Sequence, residues 1–249
     1  MTIRLFHVSD LHFGAEDRAA LDWFARIVGD ERPDAILMTG DLTQNARARE
    51  FAAAGEWLES LGPPVTVEVG NHDLPVYNPV GRMLAPYRRY QSLERMVERP
   101  LEIAGVAIVP LRTTARFQWR LDWSKGYVSD ACLQRTLRLI GEAPREDLVF
   151  VTAHHPLIDQ GTDTDARTRR GGDALAALAA AGVDAVLTGH VHDPFDVAHD
   201  EDGRTVRLIG AGTLSERVRA TRPSFNEIRI EGKAFDTVAR VMDSPDARL

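Results

Sequence analysis

The stretch Ile3-Arg4-Leu5-Phe6-His7-Val8-Ser9-Asp10-Leu11-His12 is an apolar run that ends in a carboxylate and an imidazole. A similar arrangement returns at Ala35-Ile36-Leu37-Met38-Thr39-Gly40-Asp41 and again where Gly70-Asn71-His72-Asp73 follows the run Val65 to Val69. The sequence between these runs has the pattern of helices. Buried strands that alternate with helices are typical of parallel βαβ units. Ligands collect beyond the carboxyl ends of the strands in such sheets, so these polar residues mark a candidate site.

Hydrophobic periodicity and end signals predict helices elsewhere in the chain. The predicted helices are about Arg18 to Val28, Arg47 to Leu61, Ser129 to Ile140 with Ser129 as the N-cap, and Asp173 to Ala181. Residues 79–98 are predicted to form a partly helical excursion. Because helical and strand-like segments continue to alternate, the pattern favours an α/β fold.

Strand-like runs also occur throughout the second half of the chain. They are Ile103 to Leu111, Leu148 to Thr152, Ala185 to Leu187, Phe195 to Ala198, Arg204 to Ile209, Phe225 to Ile230 and Ala234 to Val241. The last four predict antiparallel ribbons, and Glu201-Asp202-Gly203 predicts a hairpin turn. We expect one domain over residues 1–249, with core motifs at 10–192 and a β-rich segment at 195–241.

Composition limits the function classes that need to be considered. The chain has 249 residues, 44% of them hydrophobic and 27% charged, which is ordinary for a globular protein with a buried core. A formal charge of -7 argues against a general nucleic-acid binder. It does not exclude a phosphorylated substrate, because bound metal ions would make a site locally positive. The single cysteine, Cys132, excludes an intrachain disulfide.

No targeting or membrane segment is predicted. The apolar run that begins at Met1 is far too short for the core of a signal peptide, and it leads directly into Asp10. No stretch approaches the ~20 apolar residues of a spanning helix, so we expect no membrane insertion and a cytoplasmic location. The oligomeric state stays open.

Three motifs supply carboxylates or imidazoles that would reach metal ions. Asp10 and His12 are two residues apart after a strand, and in an extended segment such residues point to the same side. His190 and His192 repeat this spacing, and their imidazoles are predicted to bind different metals of a close pair. Asp41 follows a glycine that permits a tight turn, and its two carboxylate oxygens could bridge two cations. Each motif alone also fits a strand end, a helix N-cap or a loop.

The tetrad Gly70-Asn71-His72-Asp73 offers different chemistry. Asn71 supplies a neutral oxygen ligand, and His72 is better suited as a proton donor or phosphate contact. Asp73 is expected to hold the His72 imidazole in the required tautomer. His154 and His155 precede a proline; their side chains should point to opposite sides, so one ligand is expected and His154 is preferred. His155 is then a supporting or core histidine.

The combination carries the hypothesis, because five motifs in order after apolar runs are not a chance pattern. In this respect the chain resembles the calcineurin-like metallophosphoesterase superfamily, from Asp10 to His192. The sequence of residues 8–14 and 40–43 is most similar to that of the bacterial cyclic-nucleotide-phosphodiesterase-like (class III) branch. The resemblance implies an α/β, four-layer αββα sandwich, with two mixed sheets face to face and helices outside.

The resemblance also implies a ligand set for two divalent or trivalent metal ions, for which Mn, Fe, Zn or Co are suited. One metal would be held by Asp10, His12, Asp41 and His192, and the other by Asp41, Asn71, His154 and His190, with Asp41 bridging. The predicted catalytic residues are His72 and Asp73, and the predicted substrate contacts are Asn71, His72 and Arg217. Arg112, Arg116, Arg219 and Arg222 also lie in loop-like stretches after predicted strands.

These residues predict a metal-dependent phosphoester hydrolase. A metal-bridging hydroxide would attack phosphorus while His72 protonates the leaving oxygen. The expected substrate is a small-molecule phosphodiester, with cyclic nucleotides among the candidates. The alternatives are a phosphomonoesterase or pyrophosphatase of the same fold, a nuclease, against which the acidic charge weighs, or a non-catalytic metal-binding scaffold.

Overall fold

A computed structural model describes residues 2–75, 78–98, 101, 103–115, 124–161 and 168–243. Its strands form two five-stranded sheets. The first sheet has the order β10 (Ala234–Val241), β9 (Ser224–Glu231), β1 (Ile3–Val8), β2 (Ala35–Met38) and β3 (Val65–Val67). β1, β2 and β3 run parallel, whereas β9 is antiparallel to both β1 and β10. The sheet is therefore mixed.

The second sheet is also mixed. Its order is β4 (Val106–Pro110), β5 (Leu148–Thr152), β6 (Ala185–Thr188), β8 (Arg204–Gly210) and β7 (Phe195–Glu201). The first four strands of this order are parallel, and β7 pairs with β8 in an antiparallel hairpin. The two loop residues of that hairpin, Asp202 and Gly203, both have positive φ, as a tight turn with right-handed strand twist requires.

Six helices occur in the described residues, and local chemistry sets where several begin. They are α1 (Arg18–Glu31), α2 (Ala48–Ser60), α3 (Pro79–Leu84), α4 (Arg88–Val97), α5 (Asp130–Glu142) and α6 (Gly171–Ala180). The Ser129 hydroxyl accepts a hydrogen bond from the Cys132 amide and caps α5, as predicted. The Asp17 carboxylate accepts one from the Ala20 amide and caps α1 in the same way.

Three buried apolar clusters lie between the layers and pack them together. One contains Leu5 and Leu37 from the first sheet together with Phe150 and Ile209 from the second, so the two sheets pack face to face. A second cluster packs α1, α2 and α4 on the outer face of the first sheet. The third packs α5 and α6 on the outer face of the second. The predicted α/β sandwich of two mixed sheets with helices outside is confirmed.

The differences from the predicted elements have local causes. β4 begins at Val106 rather than Ile103, because Gly105 with φ 86° closes a turn just before it. β3 ends at Val67, two residues early, and residues 79–98 contain two helices. Only part of the ribbon prediction is correct, since β8 pairs with β7 in antiparallel fashion but joins β6 in parallel. None of the described helices combines the length and apolar character that crossing a bilayer would require.

Candidate metal centre

The carboxyl ends of five parallel strands meet at one edge of the sandwich, namely those of β1, β2 and β3 from the first sheet and of β5 and β6 from the second. Asp10 follows β1 and donates its amide to the Gly40 carbonyl after β2, at 3.0 Å. His154 follows β5, and its carbonyl accepts from the Gly189 amide after β6, at 2.9 Å. The two halves are joined where the His190 amide donates to Asp10 Oδ2, at 2.8 Å. The parallel topology therefore gathers motifs that are up to 180 residues apart.

The backbone at the site is not extended. Asp10, His12, Asp41, His190 and His192 all have positive φ, between 46° and 71°. The expectation that extended geometry sets the directions of the i, i+2 pairs is therefore wrong. A left-handed conformation costs a residue with a side chain about 1–3 kcal/mol and persists only where its surroundings hold it. Such residues concentrate at functional sites, and here they form most of the predicted ligand set.

Two glycines let the ligand loops come close together. A Cβ on Gly70 would overlap both the backbone nitrogen and the carboxylate of Asp41. A Cβ on Gly189 would overlap the Ser9 side chain and lie 2.5 Å from Asp10 Oδ2. Only glycine permits these approaches, so the glycines in the motifs set how tightly the site is assembled.

One group of ligand atoms surrounds Asp10. His192 Nε2 lies 3.1 Å from Asp10 Oδ1 and 3.3 Å from His12 Nε2. His12 Nε2 lies 3.6 Å from Asp10 Oδ1 and 3.7 Å from Asp41 Oδ2. The other nitrogen of His192, Nδ1, donates to the Arg217 carbonyl at 2.6 Å, which leaves Nε2 as the lone-pair nitrogen that faces the group.

A second group of atoms lies on the other side of Asp41. His154 Nε2 is 3.4 Å from Asp41 Oδ2 and 3.1 Å from Asn71 Oδ1. Its Nδ1 donates to the Thr39 carbonyl at 2.8 Å, so Nε2 is the nitrogen that faces the site. The His190 ring packs edge-on against that of His154, with centroids 5.1 Å apart. Asp41 Oδ2 is thus shared between the two groups.

His155 lies within 4.8 Å of ligand atoms of His154 and His190, but it does not face the site. Its Nδ1 lies 2.8 Å from the Thr113 hydroxyl, and its Nε2 lies 2.8 Å from the Ser124 carbonyl. Because both ring nitrogens have protein partners, the geometry favours His154 as the ligand. His155 instead joins Thr113 and Ser124 beside the site.

His72 is oriented by a residue that sequence reasoning did not anticipate. Its Nδ1 lies 2.8 Å from the Gln44 carbonyl, and since a carbonyl only accepts, Nδ1 carries the proton. Asp73 was expected to hold the ring, and this expectation is wrong. The Asp73 carboxylate instead accepts from the amides of Leu42, Thr43 and Gly70. It fixes the Asp41 loop to the Asn71 loop. The sequence carries no signal for this contact, because it depends on how the two loops fold against each other.

Arg217 is the candidate arginine that the fold brings to the site. Its Nη1 donates to His72 Nε2 at 2.9 Å and lies 3.3 Å from Gln44 Oε1. Arg112 instead lies over the Tyr87 ring, and Arg219 and Arg222 are exposed. Arg116 lies outside the described residues. No carboxylate lies within ion-pair distance of Arg217 in the described part of the chain, so its charge is available to an anion.

The buried carboxylates of the site require positive charge. Burial raises the pKa of Asp10 and of Asp41, but the neighbouring histidines, His192 for Asp10 and His154 for Asp41, outweigh burial and lower it. Burial lowers the pKa of His154, but Asp41 overcomes this and raises it to about 9. Burial and the nearby His154 lower the pKa of His190 to about 3. His154 therefore carries a positive charge beside the ionised carboxylates.

The donor set fits divalent cations. Asp10 Oδ1 is fully buried and has no hydrogen-bond donor among the described residues. Three further combinations of described ligand atoms each lie within 4.8 Å of one another, namely Asp10 with His12 and His192, Asp10 with Asp41 and His154, and His12 with Asp41 and His72. Imidazole and carboxylate donors suit first-row transition metals. A cation would supply the partner that Asp10 lacks and displace the proton on His154.

Comparison with known proteins agrees with this geometry. The sequence model of the calcineurin-like phosphoesterase family matches residues 3–194, so the chain belongs to that family. With its fold and its clustered histidines and aspartates, the protein is a metal-dependent phosphoester hydrolase.

Two curated relatives are described as phosphodiesterases. A probable cyclic nucleotide phosphodiesterase of Synechococcus is 29% identical over 211 residues, which covers 78% of this chain and 75% of that protein. The 3',5'-cyclic adenosine monophosphate phosphodiesterase CpdA of Pseudomonas aeruginosa is 26% identical, over 78% of this chain and 71% of that one. Among solved structures, a dimetal phosphatase of Danio rerio matches with a TM-score of 0.70 at 14% identity, covering 96% of both chains, which supports the fold.

Proposed function

We propose that this protein hydrolyses small-molecule phosphodiesters, with cyclic nucleotides among its substrates, and that it uses two metal ions. Asp10, His12, Asp41 and His192 would hold one ion, and Asp41, Asn71, His154 and His190 the other. The observation that carries the proposal is the position of Asp41, whose Oδ2 lies 3.7 Å from His12 Nε2 and 3.4 Å from His154 Nε2. A carboxylate placed between two imidazole groups is suited to bridge two cations.

When bound, the two cations would activate a water and neutralise charge on the phosphoryl oxygens. The chain's own residues then hold and orient the groups around them. The tautomers of His154 and His192 are fixed by the Thr39 and Arg217 carbonyls, so both rings present Nε2 before any ion arrives. Such preorganisation avoids rearrangement when charge develops in the transition state. Mn, Fe, Zn or Co would suit these ligands.

His72 would protonate the leaving oxygen. Since its Nδ1 donates to the Gln44 carbonyl, the proton for the leaving group must be carried on Nε2. Arg217 now donates to that nitrogen, so this contact must open first. A phosphate oxygen is a stronger acceptor for a guanidinium than an imidazole nitrogen is, so bound substrate would draw Arg217 away from Nε2. Nε2 could then take up a proton from water, which His72 would pass to the leaving oxygen. General acid help of this kind contributes about 10²–10⁴ in rate.

The choice of a diester rests on the curated relatives, which are described as acting on cyclic nucleotides. We also infer that residues 195–241 belong to the same catalytic domain, because β7 and β8 complete one sheet while β9 and β10 complete the other. Segment 211–217, which follows β8, then forms a wall of the site, where the Thr213 hydroxyl donates to the Asp10 carbonyl at 2.6 Å.

The experiment is a substrate panel on metal-stripped protein, with and without added Mn²⁺. Cyclic nucleotides, linear aryl diesters, monoesters and pyrophosphates are compared by kcat/KM. We expect the diesters to lead and Asn71→Ala and Asp41→Ala to abolish the Mn²⁺-dependent turnover. A panel led by monoesters or pyrophosphates would replace the diester assignment. Binding of metal with no turnover on any substrate would indicate a scaffold.

A further inference from the structure

A buried hydrogen bond joins the two sheets beside the proposed metal centre. The Thr152 hydroxyl, at the end of β5, donates to Glu68 Oε1, one residue beyond the end of β3, at 2.8 Å. Both residues are buried, at 2% and 9% exposure. Each belongs to a different sheet, so the bond crosses the interface between the sheets.

The two partners are placed close in sequence to two proposed ligands of the same metal ion. Glu68 lies three residues before Asn71, and Thr152 lies two residues before His154. The Asn71 amide and the His154 imidazole come from opposite sheets, yet their ligand atoms are only 3.1 Å apart. Their separation therefore depends on how the end of β3 is held against the end of β5.

The Asn71 side chain is weakly anchored compared with the other ligands. Its hydrogen-bond partner in the described residues is His154 Nε2, the atom with which it would share a metal ion. The site around Asp10 is joined across the sheets by other bonds, from the His190 amide to Asp10 Oδ2 and from Asn226 Nδ2 to the Gly210 carbonyl. On the Asn71 side, His154 Nδ1 donates to the Thr39 carbonyl after β2, and Glu68 and Thr152 provide the side-chain bond between the ends of β3 and β5.

The chemistry of Glu68 suits a fixed link rather than a ligand. It lines a cavity of about 160 Å³ together with Glu94, Glu98 and Arg112, separate from the histidine cluster. Burial raises the pKa of Glu68 to about 8, with Glu98 adding to the effect. Glu68 is therefore mostly a neutral carboxylic acid at neutral pH, and its carbonyl oxygen accepts the Thr152 proton without an unpaired charge in the interior.

We propose that Glu68 and Thr152 form a positioning pair that sets the distance between Asn71 and His154 and so controls affinity for the second metal ion. The inference rests on the proposed two-metal site. Loss of the pair should lower the affinity for the second ion by about tenfold, which is the lower end of the range for residues that hold a metal ligand in place. The first ion, held by Asp10, His12, Asp41 and His192, should be unaffected.

The test is a stepwise Mn²⁺ titration of metal-stripped protein. Isothermal calorimetry measures the binding constant of each ion, and the spin-coupled EPR signal reports a paired Mn²⁺ site. Thr152→Val and Glu68→Ala remove the donor and the acceptor, and the double variant completes a cycle. Thr152→Ser keeps the hydroxyl donor, and Glu68→Gln keeps an oxygen acceptor. Thr136→Val is the matched control, because that buried hydroxyl lines the same cavity but bonds to the Pro110 carbonyl within the second half of the fold.

We expect the second binding constant to weaken in Thr152→Val and Glu68→Ala, with no further loss in the double variant and with the coupled signal reduced. Thr152→Ser, Glu68→Gln and Thr136→Val should retain wild-type binding. An unchanged second constant in Thr152→Val, an equal loss of both ions, or no rescue by serine would overturn the proposal. If Thr152→Val does not fold, the Glu68→Ala and Glu68→Gln pair decides in the same way.

The titration distinguishes failure of the positioning-pair proposal from failure of the proposed function. A wild-type protein that binds only one Mn²⁺ ion would overturn the two-metal assignment and the positioning pair together. A wild-type protein that binds two ions, with Thr152→Val equally able to do so, would overturn the positioning pair alone.

Discussion

Two clusters of charged residues in this molecule are neutralised in different ways. In the arginine cluster, formed by Arg4, Glu31, Glu227 and Arg240, each carboxylate pairs with the guanidinium groups of Arg4 on β1 and Arg240 on β10. In the candidate metal centre, the charge partners of Asp10 and Asp41 among the described residues are imidazoles, and Asp10 Oδ1 has no donor there. Both clusters lie at the first sheet, yet only one is complete in itself.

The difference shows how a structural cluster is told from a functional one. Arginine is always charged and donates in a fixed fork, so Glu227 is satisfied permanently. Burial raises the pKa of Glu227, but hydrogen bonds from Arg229, Arg4 and Arg240 outweigh burial and lower it to about 2. Imidazoles can give up their protons and turn a lone pair toward a cation. The metal centre is therefore open to an ion, whereas the arginine cluster is closed to one.

The largest expected effect is that of Asp41→Asn on activity. Removing the shared carboxylate should lower kcat/KM by at least ~10³-fold, more than the 10–100-fold typical of outer partners. The fold should persist, because the left-handed backbone at Asp41 also accommodates asparagine. Steady-state kinetics with added Mn²⁺ measure the loss of kcat/KM, and a far-UV circular dichroism spectrum checks that the fold persists. Asp22→Asn, at an exposed position on α1, is the control and should be inert.

Metal removal should separate the two clusters by stability. An ion that binds only the folded state adds about 2.7 kcal/mol to the free energy of unfolding at a hundredfold excess over its Kd. We expect chelation to lower the thermal midpoint of the wild type and of Glu227→Gln by the same amount. Asp41→Asn should show little change. A chelation effect that persists in Asp41→Asn would place the stabilising ion elsewhere.

Glu227→Gln should lower the free energy of unfolding by about 2 kcal/mol at pH 7, less than a fully buried pair because its arginine partners are 27–29% exposed. The pKa of Glu227 falls from 4.5 to about 2 on folding, so its stabilisation is complete above pH 4.5 and is lost as pH falls toward 2. Urea unfolding between pH 2 and 7 measures the convergence of the two proteins. A difference that grows toward low pH would contradict the sign.

The smallest expected effect is that of Arg240→Lys. Arg240 bonds Glu227 Oε2 at 2.8 Å with Nη1 and Glu31 Oε1 at 2.9 Å with Nη2. A lysine keeps the charge but reaches both carboxylates less well, so we expect a loss of about 0.5–1 kcal/mol in urea unfolding. Activity should not change. A drop in kcat/KM would show that the arginine cluster is coupled to the metal centre.

Much of the fold and the candidate ligands were predictable because they follow from periodicity and order. β1, β2 and β5 have the predicted bounds, and the apolar runs before Asp10, Asp41 and His154 are buried strands. The direction of the ligand side chains was not predictable from spacing. It depends on left-handed backbone at Asp10 and His192, which neighbouring loops hold in place.

The role of Asp73 could not be read from the sequence, since an aspartate after a histidine fits either contact. The structure directs its carboxylate to the amides of Leu42, Thr43 and Gly70, and gives the His72 ring to the Gln44 carbonyl. Backbone carbonyls have no side-chain signature, so partners of this kind escape motif reading. The same holds for the Thr39 carbonyl, which orients His154.

The sequence by itself determined which chemical groups stand at the strand ends, because parallel strands with short loops bring their carboxyl ends to one edge. Only the tertiary structure directed both ring nitrogens of His155 to Thr113 and Ser124, placed Arg217 against His72 and joined Glu68 to Thr152. These are contacts between residues that lie far apart in the chain, and they exist only once two sheets have packed face to face. Local pattern carries no information about which side chains will then meet.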